Sequence, residues 1–446
     1  MTDGQESFLL GTTTGTEPRP AGAGGTPRAP GAGPGTAPVR SPERGRGPEA
    51  PGAGPGAGPG AGGGRRASPA GPARRLTGPA VTSPTARSTA RSTARTTAPG
   101  TARPGLRRAG RDAVGAPLPE PRPLGEPRRW PRSFADRLTT PLPAGLAGLA
   151  RVAREGVSRP PTAALAEVAE LPVAGPGPLP AAGPGETTVT WAGHASFVVR
   201  IGGLTVLTDP VWSRRILGTP ARVTPAGVAW EDLPPVDAVV ISHNHYDHLD
   251  ARTLRRLPRD THLFVPAGLG AWCRRRRFTR VTELDWWEAV ELPAPDGGSV
   301  RFDFVPAHHW SKRTLTDTCR SLWGGWMLTD PAGRRVYFAG DTGYGHWFSE
   351  IGARYPGIDL ALLPIGAYDP PDMLRDVHTD PEEAVQACLD LGARRMATMH
   401  WATFLLSAES PLDPLRRVRA AWARTGRPRE QLWDLPVGGS RRLAAP

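Results

Sequence analysis

The chain has 446 residues, with 55 Lys and Arg against 42 Asp and Glu, a formal net charge of +13. That total suggests a basic, nucleic-acid-binding protein of roughly three domains, but the distribution of the charge excludes this reading. Residues 1–125 carry 17 Arg and 7 acids, whereas 126–446 hold 38 basic and 35 acidic residues, so the part able to fold is close to neutral.

In chain order, the first 125 residues are runs such as GAGPGAGPGAGGGRRASPAGPARR (52–75) and TARSTARSTARTTA (85–98). Segments so poor in branched and aromatic residues cannot bury enough apolar area to offset chain entropy, and 1–125 is expected to be a disordered tail. The opening MTDGQESFLLG lacks the basic and apolar regions of a secretory signal, and no stretch has 18 apolar residues. With three unpaired-looking cysteines, Cys273, Cys319 and Cys388, these features point to a reducing, cytoplasmic location, with peripheral contact to a membrane. Residues 126–185 form an extension and linker. Within it, Leu146, Leu149, Val152 and Ala153 have helical spacing, which suits a helix docked on the core or one touching a membrane.

From 186 to 446 the texture is that of one α/β domain. TVTWAGHASFVVRIGGLTVLTDP (188–210) reads as two strands turned at Gly202-Gly203. Short apolar runs follow in VDAVVISH, THLFVP, SVRFDFVPAHH, SLWGGWMLTD, RRVYFAGDTG, IDLALLPIGAY and RRMATMHW, the form of buried strands. Helices are expected at about 250–257, 267–276, 345–355, 381–391 and 411–424. The fourth has Asp380 as its N-cap, Pro381 in its first turn and Gly392 at its end.

The chemistry collects just past these runs. All ten histidines lie at or after His194. The densest group, His243-Asn244-His245-Tyr246-Asp247-His248, puts four potential ligands into six residues, a pattern that neither a helix face nor strand alternation explains. Imidazole and carboxylate suit zinc, or iron or manganese. Two histidines can serve one ion, and Asp247 with His248 a second. Further candidates each follow a strand: His308 or His309, Asp341 in GDTG with two oxygens able to bridge, and His400. One ligand group per strand end is how open α/β sites are assembled.

This order of residues resembles the metallo-β-lactamase superfamily. WAGHASFVVRIGGLTVLTDPVWS, PPVDAVVISHNHYDHLD, ELDWWE, HHWSKRTLTD, FAGDTGY, LLPIGAYDP, HTDPEEAV and HWATF are closer still to the N-acyl-phosphatidylethanolamine-hydrolysing phospholipase D family. The likeness spans about 188–405 and leaves the tail without a counterpart. It implies an αβ/βα four-layer sandwich. It also implies two Zn2+ per chain, one on His243, His245 and His309, the other on Asp247, His248 and His400, with Asp341 bridging. Asp209 would orient the ligand loop from behind, and His194 would do the same or satisfy a buried polar network. His378 would contact the phosphate or protonate the leaving alkoxide, or simply sit beside a helix N-cap. Asp247 and His378 are the residues placed nearest the reaction.

Two such cations lower the pKa of a shared water and neutralise phosphate charge. The implied reaction is hydrolysis of a phospholipid-like substrate to phosphatidic acid and an N-acylethanolamine. A homodimer is compatible with the family, and nucleic acid is disfavoured because the tail has arginines without interleaved aromatics. Among alternatives, a flavodi-iron oxidoreductase would have Glu in place of His245. A sugar-phosphate lactonase shares GHAS and TDP, but not the WW, SKRTL and IGAYDP segments. A non-enzymatic reading would have the basic tail bind a membrane or nucleic acid. The 274–277 arginines with Trp272 and Phe278 form a basic-aromatic cluster that could meet anionic headgroups or be a solvated helix end.

Overall fold

The computed structural model describes residues 117–142, 159–175, 177–183, 185–217 and 219–445. The tail as far as residue 116, and the helix expected around Leu146 and Val152, lie outside the described residues.

Strand alternation decides the layering. The first sheet contains β1 (Thr187–Gly193), β2 (Ser196–Ile201), β3 (Leu204–Thr208), β4 (Ala238–Val240), β5 (His262–Pro266) and β6 (Val281–Leu284), in that order, with β14 (Ser440–Leu443) outside β1. Val189 and Trp191 of β1, Phe197 and Val199 of β2, Val240 of β4 and Phe264 of β5 enter one core. Their neighbours Val198, Leu207, Val239 and Leu263 enter a second, beneath helices α1 (Ala251–Leu254) and α2 (Gly270–Arg274). A strand whose two faces feed two cores must lie inside a layered structure.

The second sheet supplies the facing layer. It runs β13 (Leu432–Trp433), β12 (Met396–Met399), β11 (Leu360–Pro364), β10 (Arg335–Phe338), β9 (Gly325–Thr329), β8 (Ser299–Val305) and β7 (Glu288–Pro293). Phe264 of the first sheet lies 4.4 Å from Phe302 of the second, ring centre to ring centre. The Trp326 indole crosses the seam to donate to the Ile241 carbonyl at 2.9 Å. Buried aromatics of this size contribute about 1.5–3 kcal/mol each. Outside the second sheet pack α3 (Trp347–Arg354), α5 (Pro381–Asp390) and α6 (Asp413–Arg424), with the single turn α4 (Pro371–Leu374) preceding α5 in the chain. The expected four-layer αβ/βα sandwich is the fold observed.

The helix at 381–390 starts as its sequence dictates: Asp380 accepts from the Glu383 amide, and Glu383 reaches back to the Asp380 amide. Elsewhere the structure differs from expectation. Residues 187–208 form three strands, not two, because His194 takes a left-handed φ of 54° and turns β1 into β2. Strands β6, β7, β13 and β14 were not foreseen, being short or charged, as in SRRL. Residues 117–125, grouped with the tail by composition, are tied to the second sheet and β6: the Arg122 amide donates to Ala289, and the Gly125 amide to Thr282 Oγ1. No described helix is long and apolar enough to cross a membrane.

One buried histidine lies away from the site. His262 on β5 contacts Thr282 Oγ1 at 2.7 Å and stacks on Phe264. Burial, then the nearby Arg280 charge, lowers its pKa to about 4. The folded state thus resists protonation that the unfolded chain accepts near 6.5. Its contribution is fully present above that pH and is lost as pH falls from about 6.5 to 4, by up to ~3 kcal/mol. Urea titrations at pH 7.5 and 4.5 should show His262→Gln losing less stability on acidification than wild type; equal losses would refute this.

Candidate metal centre

Topology brings the polar loops together. β1, β3 and β4 run in one direction, as do β8, β10 and β12. Their C-terminal ends therefore share an edge in each sheet. From the first sheet come His194, Asp209 and the 243–248 loop; from the second come His309, Asp341 and His400. All six positions carry buried side chains or flank them.

Three histidines converge first. His243 Nε2 lies 2.8 Å from His245 Nδ1, which lies 3.3 Å from His309 Nε2. A second group joins Asp247 to His248 and His400, with its Oδ2 at 3.5 and 3.7 Å from their Nε2 atoms. Asp341 straddles both groups. Its Oδ2 is 3.1 Å from His248 Nε2, 3.8 Å from His309 and 3.9 Å from His243, while Oδ1 is 3.2 Å from His400 Nε2.

The opposite ring atoms show which nitrogens are free to bind. The Ser242 hydroxyl donates to Asp209, so it accepts from His243 Nδ1 at 2.9 Å. His248 Nδ1 donates to Asp209 Oδ2 at 2.7 Å, and His309 Nδ1 to the Val377 carbonyl at 3.0 Å. Each bond holds the proton on the outward nitrogen and leaves the inward lone pair for a cation. Asp209 also accepts the Ser242 amide, so this one buried carboxylate braces the whole ligand loop. Ser242 itself was not singled out by the sequence, although it directly precedes the histidine motif.

Electrostatics agree with a cation site. Burial depresses the pKa of His243 and His309 strongly and that of His245 to about 4, keeping them neutral. Burial also opposes charge on His248 and His400, but Asp341 and Asp247 outweigh it, raising His248 well above the usual range and His400 to about 9. The same two carboxylates are driven well below their ordinary range: burial opposes this, but the surrounding histidines, His248 and His400 with His194 beside Asp247, together outweigh it. The two buried carboxylates thus favour positive charge at the centre of the cluster, which divalent cations would supply. Asp341 Oδ1, His248 Nε2 and both His400 nitrogens are buried without a hydrogen-bond partner. Ligand atoms within each His/Asp group lie within 4.8 Å of one another, and the donor set fits two borderline-hard ions.

The other candidates fall as follows. His308 turns away from the cluster to Thr139 and meets His346 edge-on; His309 is the residue facing it. His194 lies at hydrogen-bond distance from a candidate ligand, with Nε2 3.1 Å from Asp247 Oδ2 and its amide held by Thr403. Its pKa is lowered to about 3, chiefly by burial. His378 places Nδ1 4.0 Å from Asp341 Oδ2, and burial lowers its pKa to about 4. It also lines a cavity of about 600 Å3 bounded by Tyr368, Asp369 and Arg417. In the basic-aromatic cluster, Phe278 is buried in the core beneath α2, leaving Trp272 with Arg276 stacked over it at 3.5 Å.

The sequence profile described as a β-lactamase superfamily domain matches residues 205–401. The chain belongs to the metallo-β-lactamase superfamily, and its fold and His/Asp cluster make it a metal-dependent hydrolase of that class. It is 39% identical over 286 residues to the uncharacterized protein Rv0906 of Mycobacterium tuberculosis, covering 60% of this chain and 71% of that one. It is 37% identical over 244 residues to N-acyl-phosphatidylethanolamine-hydrolyzing phospholipase D 1 of Caenorhabditis elegans, covering 52% and 68%. A UPF0173 metal-dependent hydrolase of Nitratidesulfovibrio vulgaris is 32% identical over 222 residues, covering 49% and 82%.

Proposed function

We propose that this protein is a dizinc phosphodiesterase of phospholipase D type. It would hydrolyse N-acyl-phosphatidylethanolamine-like phospholipids to phosphatidic acid and an N-acylethanolamine. The observation that carries the reading is Asp341 facing two ligand groups at once; the likeness to the nematode phospholipase supports the substrate class. His243, His245 and His309 would hold one zinc, and Asp247, His248 and His400 the other, with Asp341 between them. Bound there, the ions supply Lewis acidity toward phosphoryl oxygens and make a water acidic enough to ionise near neutral pH.

The protein's own groups do the rest. Asp209 and Ser242 hold the histidine rings in register before substrate arrives. His378 is held neutral by its burial and faces both the cluster and the cavity, which suits it to donate a hydrogen bond to the phosphate; it would protonate the departing alkoxide only after taking up a proton there itself. Trp272 and Arg276 offer an anionic lipid surface a contact that would bring substrate to the site.

Metal analysis of the purified full chain should give two zinc per chain. Assays should show hydrolysis of N-acyl-phosphatidylethanolamine, loss of that activity on chelation, and its return with zinc. Activity on lactones alone would sink the phospholipase reading in favour of a lactonase.

A further inference from the structure

The loop that follows His309 reaches back to the histidine loop of the other sheet. Arg313 Nη1 donates to the Asn244 carbonyl at 3.1 Å, and Tyr246 Oη donates to the Arg313 carbonyl at 2.7 Å. The bonds are reciprocal: each residue's side chain holds the other loop's backbone. The guanidinium lies over the Tyr246 ring at 4.1 Å, with Trp272 at 5.3 Å. Asp317 accepts both the Arg313 and Thr314 amides, which fixes the start of this loop. Among the described residues Arg313 makes no close ion pair, and burial lowers its pKa although Tyr246, Asp250 and Asp317 oppose the shift from a distance. Its work is on the Asn244 backbone, whose carbonyl sits between His243 and His245.

We propose that Arg313 is a positioning residue that sets cation affinity at the three-histidine group. Two of those histidines come from one sheet and His309 from the other, so their spacing depends on how the two loops are held together. The Arg313–Tyr246 clamp is the paired hydrogen-bond contact between the two loops, beside the ring contact of His245 with Trp310. This inference rests on the binuclear reading, but concerns only one of its two cations. It assigns Arg313 no contact with substrate.

The test is zinc affinity, measured by competition with a chromophoric chelator, on the full-length wild type, Arg313→Gln and Tyr246→Phe. In Arg313→Gln one cation should bind about 10–100-fold more weakly, the range for loss of a group that supports a ligand, with the other unchanged. Tyr246→Phe keeps the ring and should shift the same cation less. The visible spectrum of the cobalt-loaded variants should change for that cation alone. Activity should return at saturating zinc. Unchanged affinity for both cations in Arg313→Gln would overturn the proposal, as would activity that saturating zinc fails to restore, since this would mean direct substrate contact. If Arg313→Gln does not fold, Tyr246→Phe decides, and unchanged affinity there overturns it. A wild type binding one zinc would refute the binuclear reading instead, and the clamp would then be judged on that ion's affinity.

Discussion

Replacing Asp341 by Asn should lower kcat/KM by about a hundred- to a thousand-fold, the scale of losing one preorganised group at a reacting centre. The substitution preserves shape and one oxygen. It removes the negative charge that reaches both ligand groups, with Oδ2 at 3.8 Å from His309 and Oδ1 at 3.2 Å from His400. The new amide would also turn two N–H donors toward the points where cations would sit. Zinc content should therefore drop below two per chain, and the drop should track the lost activity. Full activity in this variant would mean that the cluster is not the catalytic machinery.

Asp209→Asn should have the second largest effect, although Asp209 faces no substrate. Its buried carboxylate accepts from the Ser242 amide, the Ser242 hydroxyl and His248 Nδ1. Asparagine can present only one oxygen to these three donors, and its own N–H2 would oppose at least one of them. His248 would lose the bond that orients its ring and favours the proton on Nδ1. Zinc affinity should fall about 10–100-fold, with turnover recovering in part at high zinc. Asn tolerates the φ of 31° found at this position, so the backbone should survive. Wild-type affinity in Asp209→Asn would show that the bracing is dispensable.

How far the site could be read from sequence depended on how local each part is. The 243–248 motif was legible because its ligands are consecutive, and Asp341 and His400 because each directly follows an apolar run. The choice of His309 over His308 came from family likeness. Spacing alone cannot say which of two residues past a strand end turns inward, and here a contact with the distant Thr139 draws His308 away. The brace from Asp209 spans 33 residues to Ser242, and the Arg313 clamp spans 69 to Asn244. Such bonds are set by the packing of two sheets and leave no local period. For the same reason the hairpin at His194 was missed: a left-handed histidine between two apolar runs looks like one continuous strand.

The division of ligands between the sheets has a further consequence. Neither sheet alone carries a complete group, since His309, Asp341 and His400 must meet the 243–248 loop across the aromatic seam. Cations bound there would act as cross-links, and their binding free energy would count toward holding the halves together, about 4 kcal/mol for free ion at a thousand times its dissociation constant. Metal scarcity would then loosen the molecule as well as silence it. Heat tolerance would follow the zinc supply, and the starved protein would be the one that proteases reach first.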